Sequence, residues 1–431
     1  MEIALLFIVF FGMLAVGIPI AFSIGIASIS ASMIIPNLPA SADYIFRTMV
    51  SSIDSTSLLA VPLFILSGII MAKGGISEKL FNFFAFFLGK RTAGLPITVI
   101  ITCLFFGAIS GSGPATVAAV GAMSIPLLVR LGYDKVFVTA MVATSGGLGV
   151  IIPPSIPFII YGISTGTSVG DLFIAGILPG LLIGLCLIVY VYFYFKKHGE
   201  DKEKLIKNWE ELSQFGLWKL FKDSFWALMA PVIILGGIYG GIVTPTEAAN
   251  ISVIYALIVS LFIYKSIKVS DIFNFLKETL TIAAPVMLVV STASVFGKVL
   301  TMMQAPQMIA SSMANNFSSA VVITLVIMLF LIIVGMVMDT TPAILILAPI
   351  FLPIASAIGI NPIHFGLIMV VTLAIGFVTP PVGLNLFVAS SLSKLSVLRI
   401  GKASVPFIIV FIFALLLITF IPEISLILVG K

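Results

Sequence analysis

The sequence predicts an all-α polytopic membrane protein made of two inverted-topology repeats, each holding a re-entrant helical hairpin and a broken helix. Three observations predict it. The 431 residues are 60% hydrophobic and only 9% charged, too apolar for a surface that faces water throughout. The apolar stretches are interrupted by clusters of Gly and Pro, which do not continue a helix. Those clusters recur at nearly one offset along the chain. Pro114 pairs with Pro342, Pro153-Pro154 with Pro380-Pro381, Pro179 with Pro406, and Val16-Gly17-Ile18-Pro19 with Ile242-Val243-Thr244-Pro245. Matching interrupted segments in two halves point to the binding site of a secondary transporter.

The first repeat covers 1–195. An apolar run over about 3–35 opens it, ended by Pro36 and Pro39, and Met1-Glu2-Ile3 lacks the basic start of a cleaved signal. Residues 40–56, with Asp43, Arg47 and Asp54, read as an amphipathic interfacial arm. A span at about 57–72 and a short segment at 77–89 follow. The hairpin occupies about 94–131. Its flanks, Leu95 to Phe106 and Val117 to Val129, are each shorter than the roughly 20 residues that cross a bilayer. Between them lies the run Gly107 to Thr116. A broken helix over about 136–163, interrupted at Pro153-Pro154, and a last span at 171–195 complete the repeat.

Residues 196–224 form a polar linker with a surface helix marked by Trp209, Trp218 and Phe221. The second repeat, 225–431, repeats the plan: an apolar stretch to 264, an arm at 268–281, spans to Asn315, a hairpin at about 320–359, a broken helix at 362–392 and a last span at 403–428. With each hairpin counted as no crossing, each half makes five net passes, so the halves are inverted. Placing the linker in the cytoplasm puts Arg47, Lys90, Arg91, Arg130, Lys135, the linker lysines, Lys298, Lys394, Arg399 and Lys402 inside. Lys73, Lys79, Lys265, Lys268, Lys277 and Lys431 then fall outside, and both termini are expected to be periplasmic.

Several function classes drop out. No nucleotide-binding loop and no HExxH occur. Cys103 and Cys186 lie in apolar segments without metal spacing and read as packing. An intramembrane enzyme needs a nucleophile with a base, and the topology brings no His or Lys to Ser110 or Ser112. No cofactor and no nucleic-acid partner are expected; lipid is. A passive channel remains an alternative that ion-gradient dependence would separate.

Helix breaks at mid-membrane depth must be buried in protein or line a wet cavity. Hydroxyls and freed carbonyls are hard oxygen ligands suited to an alkali cation. Ser110, Ser112 and Thr116 supply oxygen at the first tip, with Ser145 and the Gly146–Gly149 backbone near. Asp339, Thr340 and Thr341 supply it at the second, with Thr372, Gly376 and Thr379. Half-helix N-termini there suit a substrate carboxylate. Asp339 reads either as a cation ligand or as the cap of the hairpin's second arm. Glu247 reads either as functional or as a first-turn carboxylate of its helix. Asn385 can turn its amide toward substrate.

Five motifs in order then carry a resemblance: Gly107 to Thr116, Gly149-Val150-Ile151-Ile152-Pro153-Pro154-Ser155, Thr244-Pro245-Thr246-Glu247-Ala248-Ala249, Asp339-Thr340-Thr341-Pro342-Ala343 and Thr379-Pro380-Pro381-Val382-Gly383. Together they resemble the large membrane subunit of tripartite ATP-independent periplasmic (TRAP) transporters, the DctM-like family, over essentially the whole chain. The resemblance implies an elevator-type, sodium-coupled importer of organic acids such as C4-dicarboxylates or sialic acid, in a bacterial or archaeal inner membrane. It implies sodium as coupling ion, held at the first tip by Ser110, Gly111, Ser112 and Gly113 with Gly149 and Ile152. A second ion would sit among Asp339, Thr340, Thr341, Gly376 and Thr379. Substrate is expected near Thr116, Pro154, Ser155, Pro381 and Asn385. The implied partners are a small four-helix membrane subunit, expected on a separate chain, and a periplasmic binding protein. The nearest alternative is a stand-alone sodium- or proton-coupled carboxylate symporter with similar inverted hairpins.

Overall fold

The structure is a computed structural model and describes residues 2–35, 40–316 and 319–430. Pro36, Pro39 and Lys431 lie outside the described residues. Every regular element among those described is helical. Among the described residues, eight helices are long and apolar enough to cross a membrane.

The first repeat runs α1 (Glu2–Ala15), α2 (Ile20–Ile34), α3 (Ala42–Ile53), α4 (Ala60–Lys73) and α5 (Ile76–Leu88). Its hairpin is α6 (Gly94–Ser110) and α7 (Gly113–Arg130). Its broken helix is α8 (Lys135–Ser145) and α9 (Ile156–Thr165), and α10 (Val169–His198) closes it. The linker folds as α11 (Lys202–Ser213). The second repeat begins with α12 (Leu217–Tyr239), α13 (Pro245–Ile258), α14 (Asp271–Met302) and α15 (Ala305–Asn316). Its hairpin is α16 (Ala320–Gly335) and α17 (Thr340–Ala357). Its broken helix is α18 (Pro362–Gly376) and α19 (Leu384–Ser393), and α20 (Val397–Phe420) closes it. Helix α14 fuses what the first repeat splits into α3 and α4.

Several features differ from the sequence reading. In the second repeat the stretch to 264 divides at Gly240-Gly241 into α12 and α13, and the arm at 268–281 is continuous with the span that follows it, as α14. The run over 3–35 is not one crossing. Gly17, at φ 89°, and Pro19 break it into α1 and α2, which pack against each other and against α14. Phe7 and Phe10 of α1 meet Phe296 of α14 at ring-centroid distances of 5.9 and 5.8 Å. Helix α5, like α1 and α2, is short, and it packs against α6 and α12. Thirteen residues give about 20 Å of helix, short of the roughly 30 Å hydrocarbon core. Its C-terminal end meets the linker. The Trp209 indole donates to the Phe86 carbonyl at 2.8 Å, and the Lys90 Nζ sits 4.2 Å from the Trp209 ring centre. At its other end the Lys79 Nζ lies 4.3 Å from the Tyr264 ring centre.

Contacts place the charged ends of these helices relative to the linker. Lys73 and Lys79 lie on the linker face, and with them Lys265, Lys268 and Lys277. Arg47 and Lys298 move to the opposite face, because α3 packs beside the far end of α14, where Ser291 Oγ donates to the Met49 carbonyl at 2.8 Å. The physical cause is that hydropathy reports apolar length and not direction. Among the described residues, only Arg47 and Lys298 carry positive charge at the end of the molecule opposite the linker.

Candidate functional site

Each hairpin tip is built by its own turn chemistry. At the first, Gly111 ends α6 at φ 62°, a left-handed cap that disfavours a side chain. Ser112 then caps α7, its Oγ accepting from Ala115 N at 3.5 Å. Thr116 Oγ1 donates to the Ser112 carbonyl at 2.8 Å and lies 3.1 Å from Ser110 Oγ. At the second tip Asp339 caps α17. Its Oδ1 accepts from Thr340 N at 2.6 Å and Thr340 Oγ1 at 3.3 Å, which leaves Oδ2 without a hydrogen-bond partner among the described residues. The capping alternative is thus realised, and one carboxylate oxygen remains free.

The broken helices hold the tips by backbone. Ile156 N donates to the Gly111 carbonyl at 3.2 Å, and Val382 N and Gly383 N both donate to the Met336 carbonyl at 3.3 Å. Pro153-Pro154 and Pro380-Pro381 are both cis. Each hairpin also packs on its broken helix through a glycine pair. A Cβ on Gly107 would come within 2.8 Å of Gly149 Cα, and one on Gly376 would strike the Gly335 backbone. These pairs match between the halves and let two backbones touch.

Both tips line one cavity of about 590 Å³. Ser110, Gly111, Ser112 and Pro114 face it from the first hairpin, and Asp339, Thr340 and Thr341 from the second. The remaining wall comes from α4 and α14, through residues such as Ile65, Gly68, Ile282 and Val286, and from the broken helices, through Val150, Ile156, Pro157 and Phe377. The cavity reaches Lys73 and Glu278, 3.8 Å apart at its linker-side mouth. Helices α4 and α14 were missing from the sequence-derived site, because an apolar wall has no signature that separates it from lipid-facing surface.

Other predicted residues sit behind the tips. Thr116, Ser155 and Asn385 are fully buried and do not line the cavity, nor do Pro154 and Pro381. Ser155 Oγ donates to the Val150 carbonyl at 2.5 Å. Thr379 Oγ1 donates to the Ile375 carbonyl at 2.7 Å, one turn back, beside Gly376. Gly113, Gly149 and Ile152 are within the packed tip region, Ile152 against Gly180 of α10. Asn385 comes from the second half yet packs at the first tip. Its Nδ2 donates to the Ala143 carbonyl at 3.0 Å, and a Cβ on Gly113 would lie 3.2 Å from its Oδ1. That Oδ1 and the Ser145 Oγ are buried without a hydrogen-bond partner among the described residues. Orphaned oxygens of this kind cost about 1–3 kcal/mol unless something completes them. An alkali cation at the tip, drawing on these oxygens, is a chemical fit. Glu247 is settled otherwise. It completes a capping box, its Oε2 accepting from Thr244 N at 2.7 Å.

The profile of the family described as tripartite ATP-independent periplasmic transporter, DctM component, matches residues 7–424. The chain is 43% identical over 417 residues to the isethionate TRAP transporter permease protein DctMQ of Oleidesulfovibrio alaskensis, covering 97% of this chain and 65% of that relative, less than two thirds of its length. It is 37% identical to the C4-dicarboxylate TRAP transporter large permease protein DctM of Vibrio cholerae, over 99% of this chain and 97% of that one. Its identity to the sialic acid TRAP transporter large permease protein SiaM of the same organism is 34%, over 97% and 96%. Among solved structures, the Alcanivorax borkumensis YdaH transporter has the same kind of fold, with a TM-score of 0.62 at 14% identity over 89% of each chain.

Proposed function

The chain belongs to the DctM component family of tripartite ATP-independent periplasmic transporters and is a large permease subunit, a carrier and not an enzyme; from that premise we propose that it imports a small organic acid by coupling to sodium. The observation that carries the reading is the meeting of two oxygen-rich tips, from opposite repeats, in one cavity open toward one face. A volume of about 590 Å³ suits a small organic acid. The N-termini of α7 and α17 offer backbone N–H groups to its carboxylate. Sodium ions are assigned to Ser110–Gly113 with Gly149 and Ile152, and to Asp339–Thr341 with Gly376 and Thr379. Asn385 and Ser145 are added to the first set, and Asn385 leaves the substrate set. The relatives' names, isethionate, C4-dicarboxylate and sialic acid, support an anionic substrate.

The linker face is the cytoplasmic one in this proposal, since it gathers nearly all Lys and Arg, and the cavity is then open inward with both termini outside. A small four-helix membrane subunit and a periplasmic binding protein complete the transporter. The test is the thermal midpoint of the purified subunit, alone and with its small partner, in sodium against potassium. Sodium-specific stabilisation of about 2.7 kcal/mol is expected at 100 times the dissociation constant. It should shrink in Asp339→Ala. Absence of any sodium-specific shift in the assembled pair overturns sodium coupling.

A further inference from the structure

The seam between α14 and the second hairpin has two mouths, and their charges differ. On the linker side Lys73 is paired with Glu278. About 30 Å further along α14, at 1.5 Å per residue, a second cavity of about 320 Å³ opens on the opposite face. It is lined by Ser52 of α3, Ser164 of α9, Ser294, Lys298 and Thr301 of α14, and Pro349 of α17. Lys298 is exposed and takes part in none of the ion pairs among the described residues. The hydroxyls of Ser52 and Thr301 already donate to the Met49 and Gly297 carbonyls. Those of Ser164 and Ser294 have no partner among the described residues.

We propose that this pocket is a capture site for a small organic anion, a carboxylate or sulfonate, with Lys298 supplying the charge and Ser164 and Ser294 the hydrogen-bond donors. The inference rests on the carrier reading above. Place argues for cargo over lipid headgroup: α14 forms one wall and α9 and α17 the other, and these same helices flank the large cavity. The pocket therefore continues the same seam on its far side. Chemistry argues likewise. Among the described residues no Lys or Arg lies at either tip, and Arg47, the other cation of that face, is paired with Asp43 at 2.9 Å, so an arriving anion meets an unpaired counter-charge at Lys298. An unpaired cation at the mouth of a recess concentrates anions and speeds their arrival.

The test reads the local potential directly. Ile163, which lines the pocket, is replaced in a chain carrying Cys103→Ala and Cys186→Ala, as Ile163→Cys. Membrane-impermeant thiosulfonates of opposite charge, one a sulfonate and one a quaternary ammonium, are applied to intact cells. The ratio of their reaction rates cancels any effect of Lys298 on the thiol itself. The anionic-to-cationic ratio is expected to fall about five- to tenfold with Lys298→Gln and to recover with Lys298→Arg. An unchanged ratio, or no reaction from outside, overturns the capture site. A missing sodium shift would overturn sodium coupling and leave this ratio unaltered, so the two failures are distinguishable.

Discussion

Gly149 and Gly376 show how single residues set the tips. A Cβ on Gly149 would lie 2.7 Å from the Ser112 carbonyl oxygen and collide with Thr116 Oγ1. A Cβ on Gly376 would collide with the Gly335 backbone. Backbone cannot rotate aside as a side chain can, so Gly149→Ala and Gly376→Ala are each expected to cost about 1–3 kcal/mol or more by overpacking. Gly12 of α1 is the contrast. Nothing lies within 4 Å of its Cβ position, so Gly12→Ala should leave stability unchanged or raise it by about 0.5–1 kcal/mol. Thermal unfolding of the three variants in one detergent checks the order; equal midpoints would mean that the glycine contacts do not constrain the tips.

At the scale of elements, the base of the first hairpin is tied by the linker. Glu200 accepts from Ala93 N at 2.7 Å through Oε2 and from Tyr133 Oη at 2.6 Å through Oε1, so one carboxylate joins both ends of the hairpin. Burial, reinforced by Glu200, pushes the Tyr133 phenol far up, so it stays a donor at any working pH. Glu200→Ala removes both bonds and should cost about 1.5–3 kcal/mol, Tyr133→Phe less. Hydrogen exchange over 90–94 and 131–135 should rise in the first more than in the second. Asp201, which caps α11, is held below the usual carboxylate range by hydrogen bonds from Lys204. Its contribution is present above pH ~4 and is lost as pH falls through the lowered value. Trp209 fluorescence should thus report α11 loosening in acid, and Asp201→Asn should remove that pH dependence. The elements also show what a sequence can tell. The hairpins at 94–131 and 320–359 agree with Gly94–Arg130 and Ala320–Ala357, because Gly and Pro mark the turns and short apolar arms flank them. The division of 3–35 at Gly17 to Pro19 was marked by the same residue types, yet the run was apolar enough to be read through. The packing of α5 had no local mark; its ends are fixed by Trp209 and Tyr264, which are distant in sequence. Asn385 is the same case at the site, since only folding brings the second half's amide to the first tip.

At the scale of the molecule, the two halves make one seam in which α14 faces α17 along its length, with a large cavity at one end and a smaller one at the other. Alternating access requires that such a seam slide, because a fixed wall cannot expose one site to both faces in turn. Gly297 of α14 and Pro349 of α17 mark where it is closed on the side opposite the linker. A Cβ on Gly297 would lie 3.9 Å from the Pro349 Cβ, within the range that a disulfide bridges. Gly297→Cys with Pro349→Cys, in a chain lacking Cys103 and Cys186, should therefore cross-link under mild oxidation without rearrangement. If the seam slides during each cycle, the bond holds the second hairpin against α14 and uptake stops, returning when reductant is added. Each single substitution should leave uptake measurable, which separates the effect of the bond from that of the side chains. Full uptake in a cross-linked population would show that α14 and α17 move together, and the moving boundary would then have to lie elsewhere, with α4 and the first tip as the remaining facing pair at the cavity.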